Sequence, residues 1–115
     1  SAPATTLPDA SGEVTVTFEN VASDGFDVVC TPDAAIEKYY VYVLKTSSFT
    51  MQVITGGLEA FKKEVMPTKD EYTGTQTIRK TGLAAGTSYS VCVLGISKSG
   101  SDFWIEARQK TEKAE

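Results

Sequence analysis

The sequence predicts an all-β fold: an antiparallel sandwich of about seven short strands with one short helical insertion. Three observations predict it. Apolar and polar residues alternate at period two in several short runs rich in β-branched and aromatic side chains. Glycine, serine, aspartate and proline punctuate those runs with turn chemistry. The chain is 115 residues long, 41% hydrophobic and 23% charged, which suits one compact domain rather than a disordered segment.

The first strand is Val14-Thr15-Val16-Thr17-Phe18, with its valines and phenylalanine on one face. The turn Ser23-Asp24-Gly25 leads into Phe26-Asp27-Val28-Val29-Cys30-Thr31, where Phe26, Val28 and Cys30 share a face. Pro32 closes that strand because it cannot donate to a ladder. Tyr39-Tyr40-Val41-Tyr42-Val43-Leu44 is apolar or aromatic at both parities, so both of its faces are expected to be covered. Period two then fails. Leu58, Phe61, Val65 and Met66, with charged residues between them, predict a turn or two of amphipathic helix opened after Gly56-Gly57 and closed by Pro67. Thr75–Lys80 returns to strand, Ser88–Ile96 is a second strand apolar on both faces, and Ser97–Ser101 turns the chain into a last strand over Asp102–Thr111.

Composition excludes several functions. Acidic residues outnumber basic ones, for a net charge of −4, so a broad electrostatic footprint for nucleic acid is not expected. No apolar run is long enough for a transmembrane segment. Histidine is absent, which removes the commonest metal ligand, the commonest general base and every Ser–His or Cys–His pair. Glu13, Glu19, Asp24 and Asp27 lack the regular spacing of a calcium loop, and Gly56-Gly57 is not followed by the Lys-Ser/Thr of a phosphate loop. The chain is therefore expected not to be an enzyme and to carry no catalytic residues, cofactor or metal.

Gly82-Leu83-Ala84-Ala85-Gly86-Thr87-Ser88-Tyr89 resembles the E–F corner of a fibronectin type III domain, a member of the immunoglobulin-like sandwiches. There, a leucine, a glycine-bearing turn and a tyrosine open a long strand, and the tyrosine hydroxyl bonds back to upstream backbone. Val28–Pro32 resembles the end of that family's strand B, Tyr39–Tyr42 its strand C, and Ala107–Thr111 the close of its strand G. Ala85 stands where the family usually has proline, and Cys30 where it usually has a core tryptophan. The resemblance implies a domain over residues 13–111, with an inserted helical segment at about 47–74 between strands C and E. It makes Tyr89, Leu83, Gly86, Cys30 and Val28 structural residues. Residues 1–12, small, polar and proline-spaced, read as a linker or flexible arm, and residues 112–115 as a C-terminal joint to a neighbouring domain.

Side-chain parity separates the two cysteines. With Tyr89, Val91 and Val93 facing the core, Cys92 faces outward, whereas Cys30 faces inward with Phe26 and Val28. Thiols on opposite sides of a sheet cannot form a disulfide. The same parity, with Tyr40, Tyr42 and Leu44 turned inward by resemblance, puts Tyr39, Val41, Val43, Cys92, Leu94, Ile96 and Trp104 on one outer face. That patch is large for an exposed surface. Either the insertion covers it through Phe61 and its neighbours, or it binds a protein or glycan.

The expected function is a non-catalytic structural or spacer module of an extracytoplasmic protein, cell-surface or secreted by resemblance. The alternative is a protein- or glycan-binding module using the aromatic patch. Neighbouring domains of a longer chain are the expected partners, and the chain itself is expected to be a monomer.

Overall fold

The computed structural model describes residues 12–113. Apart from Gly12, Glu112 and Lys113, the expected linker and C-terminal joint lie outside the described residues. Among the described residues, seven strands form two antiparallel sheets: β1 (Val14–Glu19), β2 (Phe26–Pro32) and β5 (Gln76–Lys80) in order β1-β2-β5, and β4 (Asp70–Tyr72), β3 (Ile36–Lys45), β6 (Ser88–Ser97) and β7 (Asp102–Lys110) in order β4-β3-β6-β7. Their inward side chains meet in one core. Val14, Phe26, Val28 and Cys30 come from the first sheet, and Ile36, Tyr39, Val41, Tyr89, Val91 and Val93 from the second. Strict alternation on β2, where Phe26, Val28 and Cys30 are wholly buried, is the period-two pattern of a half-buried strand.

Close backbone approach fixes one glycine. A Cβ on Gly25 would lie 2.0 Å from the Lys80 carbonyl oxygen, where β2 enters beside β5, so no other residue fits.

Strand β3 departs from the expected parity. Tyr39, Val41 and Val43 face the inter-sheet core, and Tyr40, Tyr42 and Leu44 face outward. Two features account for the inversion. A bulge between Ile36 and Lys38 shifts the register against β6, so Ile36 and Tyr39 are both buried despite odd spacing. The Tyr39 hydroxyl then donates to the Gly74 carbonyl at 2.6 Å, and its ring stacks on Tyr72 at 5.9 Å. A buried tyrosine needs such a partner, and the short edge strand β4 with its following turn supplies it. The expected insertion contained this strand unrecognised.

Between β3 and β4 the chain is helical for longer than expected. Helix α1 (Thr46–Gly56) follows β3 directly, and Gly57, at φ 89°, ends it by donating to the Val53 carbonyl at 2.8 Å. A single turn α2 (Leu58–Ala60) runs into a π-turn over Phe61–Val65 and a 3-10 turn over Met66–Thr68. Pro67 sits inside that last turn rather than ending the helical segment.

Candidate functional site: the outer aromatic face

The outward residues of β3, β6 and β7 form a second apolar cluster behind the sheet. Leu44, Cys92 and Leu94 are buried in it, and Tyr40, Tyr42, Ile96 and Trp104 are partly buried around them. The helical segment roofs this face with Phe49 and Val53 from α1, Leu58 from α2, and Phe61, Val65 and Met66 from the turns after it. Phe49 and Val53 lie four apart on one side of α1, which is the spacing that lays a helix on a surface. Phe61 and Met66 are five apart, a separation that an α-helix would turn away from each other. The π-turn reconciles them: the Met66 N–H bonds to the Phe61 carbonyl, and both side chains point at the sheet, 2% and 0% exposed.

Aromatic geometry locks the roof down. Phe61 meets Phe49 edge-on at 5.3 Å and Trp104 edge-on at 5.9 Å, and it stacks on Tyr42 at 6.2 Å. Phe49 lies nearly parallel to Trp104 at 6.4 Å. These separations fall in the range where aromatic pairs attract beyond simple area burial. The rim is cationic: Lys69 Nζ stands 4.2 Å from the Tyr42 ring centre, and Lys62 Nζ stands 5.9 Å from that of Trp104.

Toward the start of α1 the face turns polar. The Thr46 hydroxyl pairs with the Ser88 and Ser90 hydroxyls at 2.9 and 3.0 Å, and Ser90 donates to the Glu106 carboxylate. Arg108 completes the chain with a 2.8 Å bond to the same carboxylate. Every member of this network has a partner, so it anchors the first residue of α1 rather than presenting an unsatisfied group to a substrate.

The thiols are equally closed to chemistry. Burial pushes Cys30 up to about 11, and burial, then the nearby Glu106 charge, pushes Cys92 up to about 12. Thiols held that high stay protonated at neutral pH and are poor nucleophiles. They lie in different cores, both are free, and the sheet separates them. Among the described residues, no three acidic or cysteine side chains group into a metal site, and no helix is long and apolar enough to cross a membrane.

The sequence-predicted residues thus fall into two sets. Leu94, Trp104 and Phe61 belong to the outer face, together with Cys92 and Ile96. Tyr39, Val41 and Val43 do not; they pack between the sheets, and Tyr40, Tyr42 and Leu44 occupy the places assigned to them. Of the residues named structural, Cys30 and Val28 lie in the inter-sheet core and Leu83 packs against it. The Tyr89 hydroxyl accepts from the Ala84 N–H at 2.8 Å, and Thr111 donates to the Ala84 carbonyl at 2.6 Å, so this corner is held from both sides. Gly86 takes φ 57° there and donates to the Glu112 carbonyl. Phe49, which lies outside the apolar stripe expected from the sequence, is central to the roof. Its only signal was an aromatic in a segment otherwise free of charge and of period two.

Comparison with known proteins finds no family model that matches the chain and no curated protein that matches it.

Proposed function

We propose that the chain is a fibronectin type III-like module acting as a non-catalytic structural unit of a larger extracytoplasmic protein. The observation that carries this reading is the closure of the outer aromatic face by the chain's own insertion: Trp104 lies against Phe49 and Phe61 rather than open to a ligand. Two further features support the family. The tyrosine hydroxyl at the β5–β6 corner bonds to upstream backbone, as that motif requires. The sheet order is also close to that of immunoglobulin-like sandwiches, with the fourth strand moved to the sheet of β3. The extracytoplasmic setting rests on the family resemblance alone.

Trp104→Ala tests the structural role. The module loses about 2 kcal/mol or more of unfolding free energy as the tryptophan's buried contacts vanish. Unchanged stability, with loss of a protein or glycan that the parent chain binds, would overturn the reading.

One observation favours a binding role at a different place. Helix α1 has no charged residue, and it holds Met51 and Ile54 at 63% and 74% exposure on the side away from the sheet. A binding module built on this chain would use that helix face, and Met51→Glu would abolish binding without loss of fold.

A further inference from the structure

Among the described residues, two sheets leave four edge strands: β1, β5, β4 and β7. Their charges differ. Strand β1 ends on the acid Glu19, β4 carries only Asp70 and Glu71, and β5 carries only Arg79 and Lys80. Strand β7 alone carries both signs, with Asp102, Glu106, Arg108 and Lys110 at alternate positions on one face, in line with Trp104.

The backbone of β7 is equally distinctive. Ser97 N–H bonds to the Ser101 carbonyl, and Thr111 N–H to the Thr87 carbonyl, at the two ends of one unbroken β6–β7 register. Bonded and non-bonded pairs alternate along an antiparallel ladder. Phe103, Ile105, Ala107 and Gln109 therefore turn their backbone groups to β6, and Trp104, Glu106, Arg108 and Lys110 turn theirs outward. Among the described residues β7 pairs with no other strand, and the Lys110 carbonyl, taken by Gln109 Nε2 at 2.9 Å, is the one outward group with a partner. The inserted helix α1 packs over β3 and β6 and meets β7 through Phe49 against Trp104, on the outer face of the sheet.

We propose that β7 is a self-pairing edge, through which two copies of the chain join antiparallel about a two-fold axis at Ala107. In that register the Glu106–Arg108 ion pair that each copy holds within itself faces that of the other with unlike charges opposed, and Trp104 lies opposite Lys110. All of these are outward-facing pairs, so the main-chain bonds and the charges agree. Moving to the next bonding register in one direction puts Glu106 opposite Glu106 with Asp102 opposite Lys110, and in the other puts Arg108 opposite Arg108 with Glu106 opposite Lys110, so each alternative sets a like pair at its axis. Like charges directly across a ladder are unfavourable. The charge pattern that usually guards an edge thus opposes no like charges within β7 in the Ala107 register. An isologous contact of this kind closes at two copies and does not propagate. The monomer expected from the sequence is then the dilute form, and the dimer joins two sandwiches into one continuous eight-stranded sheet.

Sedimentation equilibrium of the chain over a range of concentrations tests this, with amide hydrogen exchange on the same samples. The expected result is a reversible monomer–dimer equilibrium weakened by salt. Protection of the Trp104, Glu106 and Arg108 amides should rise with concentration. Arg108→Glu, at an exposed position, raises the dissociation constant by about tenfold or more, and Arg108→Lys leaves it near the parent value. A monomer at every concentration would overturn the proposal, as would a dimer indifferent to Arg108→Glu or one whose added protection falls on α1 instead of β7.

Discussion

The two faces of the β4-β3-β6-β7 sheet bury apolar side chains by different means. On the inner face, Tyr39, Val41, Val91 and Val93 meet the side chains of a second sheet, aimed by strand alternation once the bulge at Ile36/Lys38 has set the parity of β3. On the outer face, Leu44, Cys92, Leu94 and Trp104 meet a single helical segment that follows β3 without a loop. The inner core draws on strands from across the chain and has two large surfaces holding it shut. The outer core depends on one roof, pinned by Phe49, Phe61 and Met66. A contact set supplied by one contiguous segment can open as a unit while the rest stays folded. The inner core therefore sets global stability, and the outer core sets the stability of the insertion.

The largest effect should come from the inner core. Phe26 is wholly buried and meets Phe18 edge-on at 5.4 Å and Tyr89 at 6.3 Å. Phe26→Ala should cost about 3–5 kcal/mol, read as a drop in urea midpoint seen equally by circular dichroism and by tryptophan fluorescence. Phe61→Ala should cost about 2–4 kcal/mol, and here the two probes should separate. Trp104 emission should respond at lower urea than the sheet signal, because the roof opens first. Coincident transitions for Phe61→Ala would make the two cores one cooperative unit and remove the distinction.

Alkaline pH acts on both cores through the thiols. Each is neutral in the folded protein above pH 9.0, the value near which an exposed thiol ionises. Between those limits the unfolded chain binds fewer protons than the folded one, so stability falls as pH rises. The stabilisation is complete below about 9 and is lost progressively up to about 11 for Cys30 and about 12 for Cys92. Cys92→Ala should flatten this slope in urea midpoints taken at stepped alkaline pH, after subtraction of its constant cavity cost.

Smaller changes follow at the corner and on the surface. Tyr89→Phe leaves the Ala84 N–H without its acceptor and should cost about 1 kcal/mol. Ile54→Gln, on the exposed side of α1, should shift stability by less than about 0.5 kcal/mol.

The same contrast decides what was legible in the sequence. Strands β1, β2, β5 and β7 could be read because period two and turn residues are local signals, and the parity of β6, apolar on both faces, could be read from the Tyr89 corner. The parity of β3 could not be. Both of its faces are apolar, so the pattern carries no sign, and the bulge at Ile36/Lys38 together with the Gly74 acceptor decides which tyrosine goes inward. Helix α1 was illegible for another reason: Thr46, Thr50, Val53, Ile54 and Thr55 are weak helix formers, and packing of Phe49 and Val53 on the sheet overrides that preference. The stripe of Leu58, Phe61, Val65 and Met66 was visible, but its geometry needed a π-turn that a 3.6-residue period does not suggest. Strand β4 is three residues long and acidic, too short to show alternation.

Trp104 is the only tryptophan and sits under the roof, so its fluorescence reports the outer core alone. The most direct measurement is its emission maximum and acrylamide quenching in the native protein, repeated for Phe61→Ala. A blue-shifted, protected signal that turns red and quenchable in the variant is the predicted result. A red, readily quenched signal in the parent chain would contradict the roof, and with it the structural role built on it.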